Sequence, residues 1–211
     1  TGYDTEGGDL FYSFTAKANQ WYKVTVTPGS GFNVAAYVLT SCTSATTSCV
    51  AGADAQFSGT AETFVFQATS ATSHIVGVDT RYKVGDTYSQ GAFTLSVEEI
   101  TKPVNDTCAK AQALSFTSGK ATAKGDNTLA TATVNLPSSG CTGYDTEGGD
   151  LFYSFTAKAS QWYKVKVVPD SGFNVAAYAF TSCSSAASTC AGGADSGSSG
   201  TEEVFYFQAS S

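Results

Sequence analysis

Short runs in which apolar and polar residues alternate with a period of two recur along the chain, and a helical period is sustained nowhere. The first is Leu10–Thr15, with Leu10, Tyr12 and Phe14 on one face and Phe11, Ser13 and Thr15 on the other; Gly7-Gly8-Asp9 turns the chain into it. Residues 21–27 alternate again, placing Tyr22, Val24 and Val26 inward and Trp21, Lys23, Thr25 and Thr27 outward. Pro28-Gly29-Ser30-Gly31 reads as a turn. Residues 32–40 are apolar on both faces, the pattern of a strand packed on two sides. Further strands are expected at 62–68, 74–79 and 92–98, the last with Phe93, Leu95 and Val97 inward, while 51–61 reads as a polar connection. Beyond these, 109–114 reads as a helical turn or an irregular lead-in, and 121–123 and 130–136 as edge strands.

The pattern is written twice. Residues 1–70 and 142–211 align without a gap, and about 50 of roughly 70 positions are identical, which makes a tandem repeat. The second copy supports the facing of the strands: Thr25 becomes Lys166 and Thr27 becomes Val168, while the inner positions return unchanged as Tyr163, Val165 and Val167. The expected fold is all-β, tandem jelly-roll-like β-sandwich domains stapled by disulfides. One domain covers 1–100 without its lead-in, 101–104 is a linker carrying Pro103, and 105–211 is a second domain without its last two strands. Copies cut in this register leave strand edges unpaired. The expectation is a window on a longer chain with a repeat of roughly 140 residues, strands supplied by neighbouring subunits, or ends packed in some other way.

Composition narrows the function classes. Charged residues make up 14% of the chain, against about 25% in a typical domain, so Thr, Ser, Gly, Asn and Gln must cover the surface. A net charge of −7, with eleven scattered Lys and Arg, argues against nucleic acid as a partner. No apolar run approaches the roughly 20 residues of a membrane span. Six cysteines with one histidine and no C-x-x-C spacing point to disulfides rather than zinc. The repeat suggests pairing Cys42 with Cys49 and Cys183 with Cys190, leaving Cys108 to Cys141, a bridge worth about 3–4 kcal/mol by loop closure. Such bonds imply a secreted, extracellular or cell-surface location.

The order of elements carries a resemblance. Gly8-Asp9-Leu10-Phe11-Tyr12-Ser13-Phe14, then a Val-rich strand, then Phe32-Asn33-Val34-Ala35-Ala36-Tyr37, Ala53-Asp54 and Gly91-Ala92-Phe93-Thr94-Leu95-Ser96-Val97 resemble the bacterial pre-peptidase C-terminal (PPC) domain. Asn105-Asp106-Thr107-Cys108-Ala109 is similar to the lead-in of PPC-like repeats in multi-domain surface proteins. The resemblance covers nearly the whole chain and implies a secreted β-sandwich without chemistry of its own, appended to proteases or strung in arrays.

Candidate chemistry is sparse. His74, the single histidine, stands near no nucleophile motif and reads as a strand residue near a sheet edge. Asp4, Glu6 and Asp9, repeated as Asp145, Glu147 and Asp150, form an acidic glycine-containing turn that is a candidate calcium site; the competing reading is a turn in which Asp9 caps the strand. Trp21 with Tyr22, and Trp162 with Tyr163, are candidates for a domain interface or for stacking on a glycan. Asn105 begins a glycosylation sequon, and the Thr and Ser clusters at 43–48 and 69–73 offer O-linked positions. The expected function is structural: an extracellular filament, stalk or surface array, self-associating head to tail, with strand complementation between subunits as one route. The alternative is an adhesive module for carbohydrate or protein, and no enzyme activity is expected.

Overall fold

The computed structural model describes residues 7–80, 83, 84, 87, 88 and 90–210. The chain divides into two compact units, Thr1–Thr101 and Lys102–Ser211. In both, the regular elements are almost all strands, as the alternating pattern predicts.

The first unit contains β1 (Leu10–Thr15), β2 (Trp21–Pro28), β3 (Val34–Leu39), β4 (Cys49–Ala53), β5 (Glu62–Gln67), β6 (Ser73–Thr80), the two-residue strands β7 (Lys83–Val84) and β8 (Thr87–Tyr88), and β9 (Phe93–Ile100). They form an antiparallel sheet in the order β1-β6-β3-β4, a second in the order β5-β2-β9, and the small pair β7-β8. Alternation decides which side chains meet between the two larger sheets: Tyr22, Val24 and Val26 from β2, Phe66 from β5, Val34, Ala36 and Val38 from β3, and Val76 and Val78 from β6 are all buried. Burying a Val or Phe side chain contributes about 1.5–3 kcal/mol, so this one cluster is the unit's main source of stability. β3 buries both faces, as its unbroken apolar run predicts.

Two stretches differ from expectation. The region read as a polar connection contributes β4, which pairs with β3 through Ala36↔Ala53, Tyr37↔Gly52 and Val38↔Ala51. Its Cys-Val-Ala-Gly-Ala sequence carries no alternation, and Gly52 is needed because a Cβ there would lie 2.8 Å from the Ala36 carbonyl oxygen. The segment from Cys42 is a 3₁₀ turn followed by a short helix, α1 (Ala45–Ser48).

The second unit contains β10 (Gln112–Ala113), β11 (Tyr153–Ser154), β12 (Trp162–Val167), β13 (Ala177–Phe180), β14 (Cys190–Ala194) and β15 (Glu203–Gln208). β12 pairs with β15 and β13 with β14, both antiparallel, while β10 runs parallel to β11. Among the described residues no strand other than β15 pairs with β12, and none other than β14 pairs with β13. Tyr163, Val165 and Val167 are therefore half-buried where Tyr22, Val24 and Val26 are buried. The buried apolar centre is smaller, formed by Ala177, Phe205 and Phe207 with Phe155 and Tyr163 against them.

The stretches 121–123 and 130–136 are not strands; their ordered contacts are the isolated bridge Leu136↔Thr146 and hydrogen bonds to carboxylates. An Ala-Thr alternation buries too little apolar surface to hold a sheet edge, so polar anchors hold this segment instead. Lys102 belongs to the second unit rather than to a free linker, since its ammonium pairs with Asp106 at 2.6 Å and donates to the Thr131 hydroxyl at 2.7 Å. That ammonium and the Thr131 N–H hold the Asp106 carboxyl below the usual carboxylate range.

Candidate functional site

The cysteines pair differently from the expected scheme. Cys108 is bonded to Cys183 and Cys141 to Cys190, with Cα separations of 5.9 and 5.7 Å, and Cys42 and Cys49 are exposed and form no disulfide. The short loop needs no bridge of its own, because it is closed by Thr40 N–H donating to the Ser48 carbonyl at 3.0 Å and the Ser48 hydroxyl donating to the Ser41 carbonyl at 2.6 Å. Both bonds instead tie residues 105–141, the lead-in of the second unit, onto its sandwich.

The lead-in is received by the acidic string that the chain repeats. Asp150 Oδ2 accepts from Thr133 N–H at 2.7 Å, Val134 N–H at 2.7 Å and the Thr133 hydroxyl at 3.1 Å, and Asp150 Oδ1 accepts from the Tyr178 hydroxyl at 2.9 Å. Asp145 Oδ1 accepts from Ser138 N–H at 2.6 Å, and the Thr146 hydroxyl accepts from Leu136 N–H at 2.9 Å. The lead-in backbone crosses Gly149 so closely that a Cβ there would lie 2.5 Å from the Ala130 carbonyl oxygen. Farther along, Phe152 N–H donates to the Asn105 carbonyl, and Gln112 and Leu114 donate to the Phe152 and Ser154 carbonyls. The result buries Phe152 and Leu136.

In the first unit no described segment covers the same face as the lead-in does in the second. Phe11 is 51% exposed where its counterpart Phe152 is 6% exposed. Asp9, the counterpart of Asp150, accepts from the Tyr37 hydroxyl at 3.4 Å and shares a hydrogen bond with the Asp79 side chain, and no backbone N–H donates to it among the described bonds. Its carboxyl is pushed up to about 6, first by burial and then by the neighbouring Asp79 carboxyl. The Tyr37 hydroxyl is raised above its ordinary range by burial and then by the charge of Asp9, as the Tyr178 hydroxyl is raised by burial and Asp150. Gly8, the counterpart of Gly149, has nothing nearer to a built Cβ than Gln90 Nε2 at 3.8 Å.

The remaining candidates fall as follows. His74 is 2% exposed on β6, an inner strand rather than an edge; its ring lies against Phe14 and Phe66 and its Nδ1 is 3.1 Å from the Thr72 carbonyl. Tyr22 is buried and cannot be a surface contact; its hydroxyl accepts from Lys17 N–H, and Tyr163 repeats this with Lys158 N–H, both at 2.9 Å. Trp21 is half-buried and Trp162 is 61% exposed. Asn105 is buried and donates its amide to the Phe152 carbonyl, so the sequon is not presented to solvent. Of the acidic turn, Asp4 and Glu6 lie outside the described residues, Glu147 is exposed, and Asp145 and Asp150 are engaged by separate N–H groups. Among the described residues no three His, Cys, Asp or Glu side chains converge as metal ligands. No described helix is long and apolar enough to cross a membrane.

One feature had no signal in the sequence pattern. Glu62 and Glu203 are both 2% exposed on β5 and β15, and accept from Gln56 N–H and Gly197 N–H, each at 2.5 Å. Asp195, raised by burial and then by Glu203, lies beside the second of them. These carboxylates stand at equivalent positions in the two copies, and that identity was the available hint.

Comparison with known families finds one match: residues 104–206 are similar to a T9SS-associated family described as galactose binding domain-like. The match spans the lead-in and continues into β15, so the family counts the lead-in as part of the domain. No curated protein and no solved structure matches the chain.

Proposed function

We propose that the chain is a non-enzymatic, surface-displayed repeat module that builds an extracellular array, its β-sandwich units packing head to tail. The observation that carries this reading is the recurrence of the same single hydrogen bonds in both copies. Glu62 and Glu203 hold matching loops, Tyr22 and Tyr163 cap matching turns, and Gln67 and Gln208 reach the matching Asn19 and Ser160 carbonyls at 3.0 Å. Modules that repeat their internal bonds present equivalent faces, and equivalent head-to-tail contacts generate a line or a helix. Two disulfides favour an oxidising compartment outside the cytoplasm. The T9SS association in the matched family's name points the same way. Electron microscopy and light scattering of the native protein test the reading: regular extended particles are expected, and dispersed monomers at every concentration would refute it.

A second reading, a carbohydrate-binding adhesive module, is favoured by one surface. Trp162 and Tyr206, both 61% exposed, are diagonal neighbours on the outer face of β12 and β15, with Lys164 5.7 Å from the Tyr206 ring centre. Flat aromatic faces of this kind suit the apolar face of a sugar ring, and the galactose-binding-like description of the matched family agrees. Binding to a glycan panel that is lost in Trp162→Ala would support this module, and binding unchanged by the substitution would exclude this face.

A further inference from the structure

Among the described residues, five features of the first unit describe an open seat, and in the second unit the same five features are occupied. Cys42 begins a 3₁₀ turn after an extended Ser41, and Cys183 begins the same turn after an extended Ser182. Cys49 and Cys190 stand at the same register irregularity, opposite Leu39 and Phe180. Cys183 and Cys190 are bonded to the lead-in, whereas Cys42 and Cys49 are exposed thiols. Phe11 is exposed where Phe152 is covered, and Ala45 is exposed where Ala186 is 8% exposed. Among the described residues no backbone N–H reaches Asp9 as two reach Asp150, and a Cβ on Gly8 would meet only Gln90 Nε2 at 3.8 Å where Gly149 is crossed by backbone. The outer edge of β1 is also unpaired among the described residues, since β1 pairs only with β6, whereas its counterpart β11 pairs with β10.

We infer that this face of the first unit, made by Gly8, Asp9, the outer edge of β1 and the Cys42–Cys49 loop, is a covalent docking site for a lead-in segment of the type that residues 105–141 form. The inference deepens the array reading and rests on it. The occupant is another segment with this pattern, because the chain's own residues 105–141 are held by Cys183 and Cys190. Such a segment brings an Asn-Asp-x-Cys turn, a two-residue strand and a second cysteine. Its backbone N–H groups satisfy Asp9, its strand pairs with β1, and its cysteines bond to Cys42 and Cys49. Each bond forms from two thiols that lose two protons and two electrons to a disulfide oxidant such as glutathione disulfide, releasing two glutathione thiols.

A synthetic peptide of residues 102–141 with both thiols reduced is the probe. It is incubated with the 211-residue chain in a glutathione redox buffer and the products are read by intact mass and peptide mapping. The expected product carries one peptide per chain and two new disulfides, the peptide's Cys108 joined to Cys42 and its Cys141 to Cys49. The amide of Phe11, which faces the outer edge as Phe152 does, exchanges more slowly in that product. Gly8→Ala should lower capture about tenfold or more by blocking the close crossing, while leaving the melting temperature unchanged because its Cβ meets only ordinary contact, with Gln90 Nε2 at 3.8 Å, among the described residues. A bridge between Cys42 and Cys49, copies linked to each other through these cysteines, or equal capture of a scrambled peptide would each overturn the inference. The outcome is separable from the array reading: failure of capture with regular particles still seen by microscopy removes only the docking site, and capture by a protein that stays monomeric removes only the array.

Discussion

Reduction is expected to release residues 105–141 from the second unit while leaving the first unit folded. The two bonds span 75 and 49 residues, so closing each loop restricts the unfolded chain by about 4.5 and 4 kcal/mol, the second figure being an upper value because the loops overlap. Against this, the lead-in buries one large apolar side chain, Leu136, worth about 1.5–3 kcal/mol. Ordering its backbone costs conformational entropy at every residue. Hydrogen bonds to Asp106, Asp145 and Asp150 and the two disulfides are what hold the segment against that cost.

Hydrogen exchange with and without a phosphine reductant reads the consequence segment by segment. Under reduction the amides of Gln112, Leu114 and Thr133 should lose protection, while those paired within β2 and β5 should not change, since no described disulfide crosses the first unit. The paired variants Cys108→Ser with Cys183→Ser, and Cys141→Ser with Cys190→Ser, should each reproduce part of the effect without a reductant. Equal loss of protection in both units, or a lead-in that stays protected after reduction, would refute the argument. Alkylation supplies the control: the untreated chain should take two labels, at Cys42 and Cys49, and the reduced unfolded chain six.

Three further outcomes follow from the packing. Asp9 titrates near 6 in the folded unit against 3.8 in an unperturbed carboxyl, so between those values the folded state binds a proton that the unfolded state has released. Stability of the first unit should therefore fall as pH rises through that window, and Asp9→Asn should raise the melting temperature at pH 7.5 and flatten its pH dependence. Gly77→Ala would place a Cβ 2.3 Å from the Tyr37 ring, and urea unfolding should show a loss of about 1–3 kcal/mol. Glu62→Ala and Glu203→Ala each remove a buried acceptor from an N–H group at 2.5 Å, and calorimetry should show losses of about 1–3 kcal/mol in the unit that carries the change.

Most strands were legible from their apolar patterning; β1 lies on the predicted residues and β2, β5, β6 and β9 within one or two of them, although only β2 alternates fully between buried and less buried residues, β1 being exposed except at Phe14 and β6 mostly buried. β4 was not, because it is held by pairing and by a close approach at Gly52 rather than by its own pattern. The disulfides were misread because neighbours in sequence were paired, whereas the Cys42–Cys49 loop closes on its own hydroxyl and backbone bonds and turns both thiols outward. The lead-in was misread because alternating Ala and Thr imitate a strand while its anchors, Asp106 and Asp150, lie 25 and 17 residues from the Thr131 and Thr133 groups they hold. Sequence distance of that size leaves no local signal.

The same anchors explain why the acidic string is spelled identically in both copies. A calcium site would need its carboxylates to converge, and in the second unit they diverge: Asp145 holds Ser138, Thr146 holds Leu136, and Asp150 holds Thr133 and Val134, four successive grips along one extended segment. Gly149 between them gives the segment room to pass. None of these roles concerns the sandwich behind the string, which would tolerate other residues at Asp9 and at Gly8, where among the described residues a Cβ meets nothing nearer than Gln90 Nε2 at 3.8 Å. Retention of the full set in the first unit is accounted for by the same partner. The string is a clasp, and what it is shaped to hold there is a second lead-in.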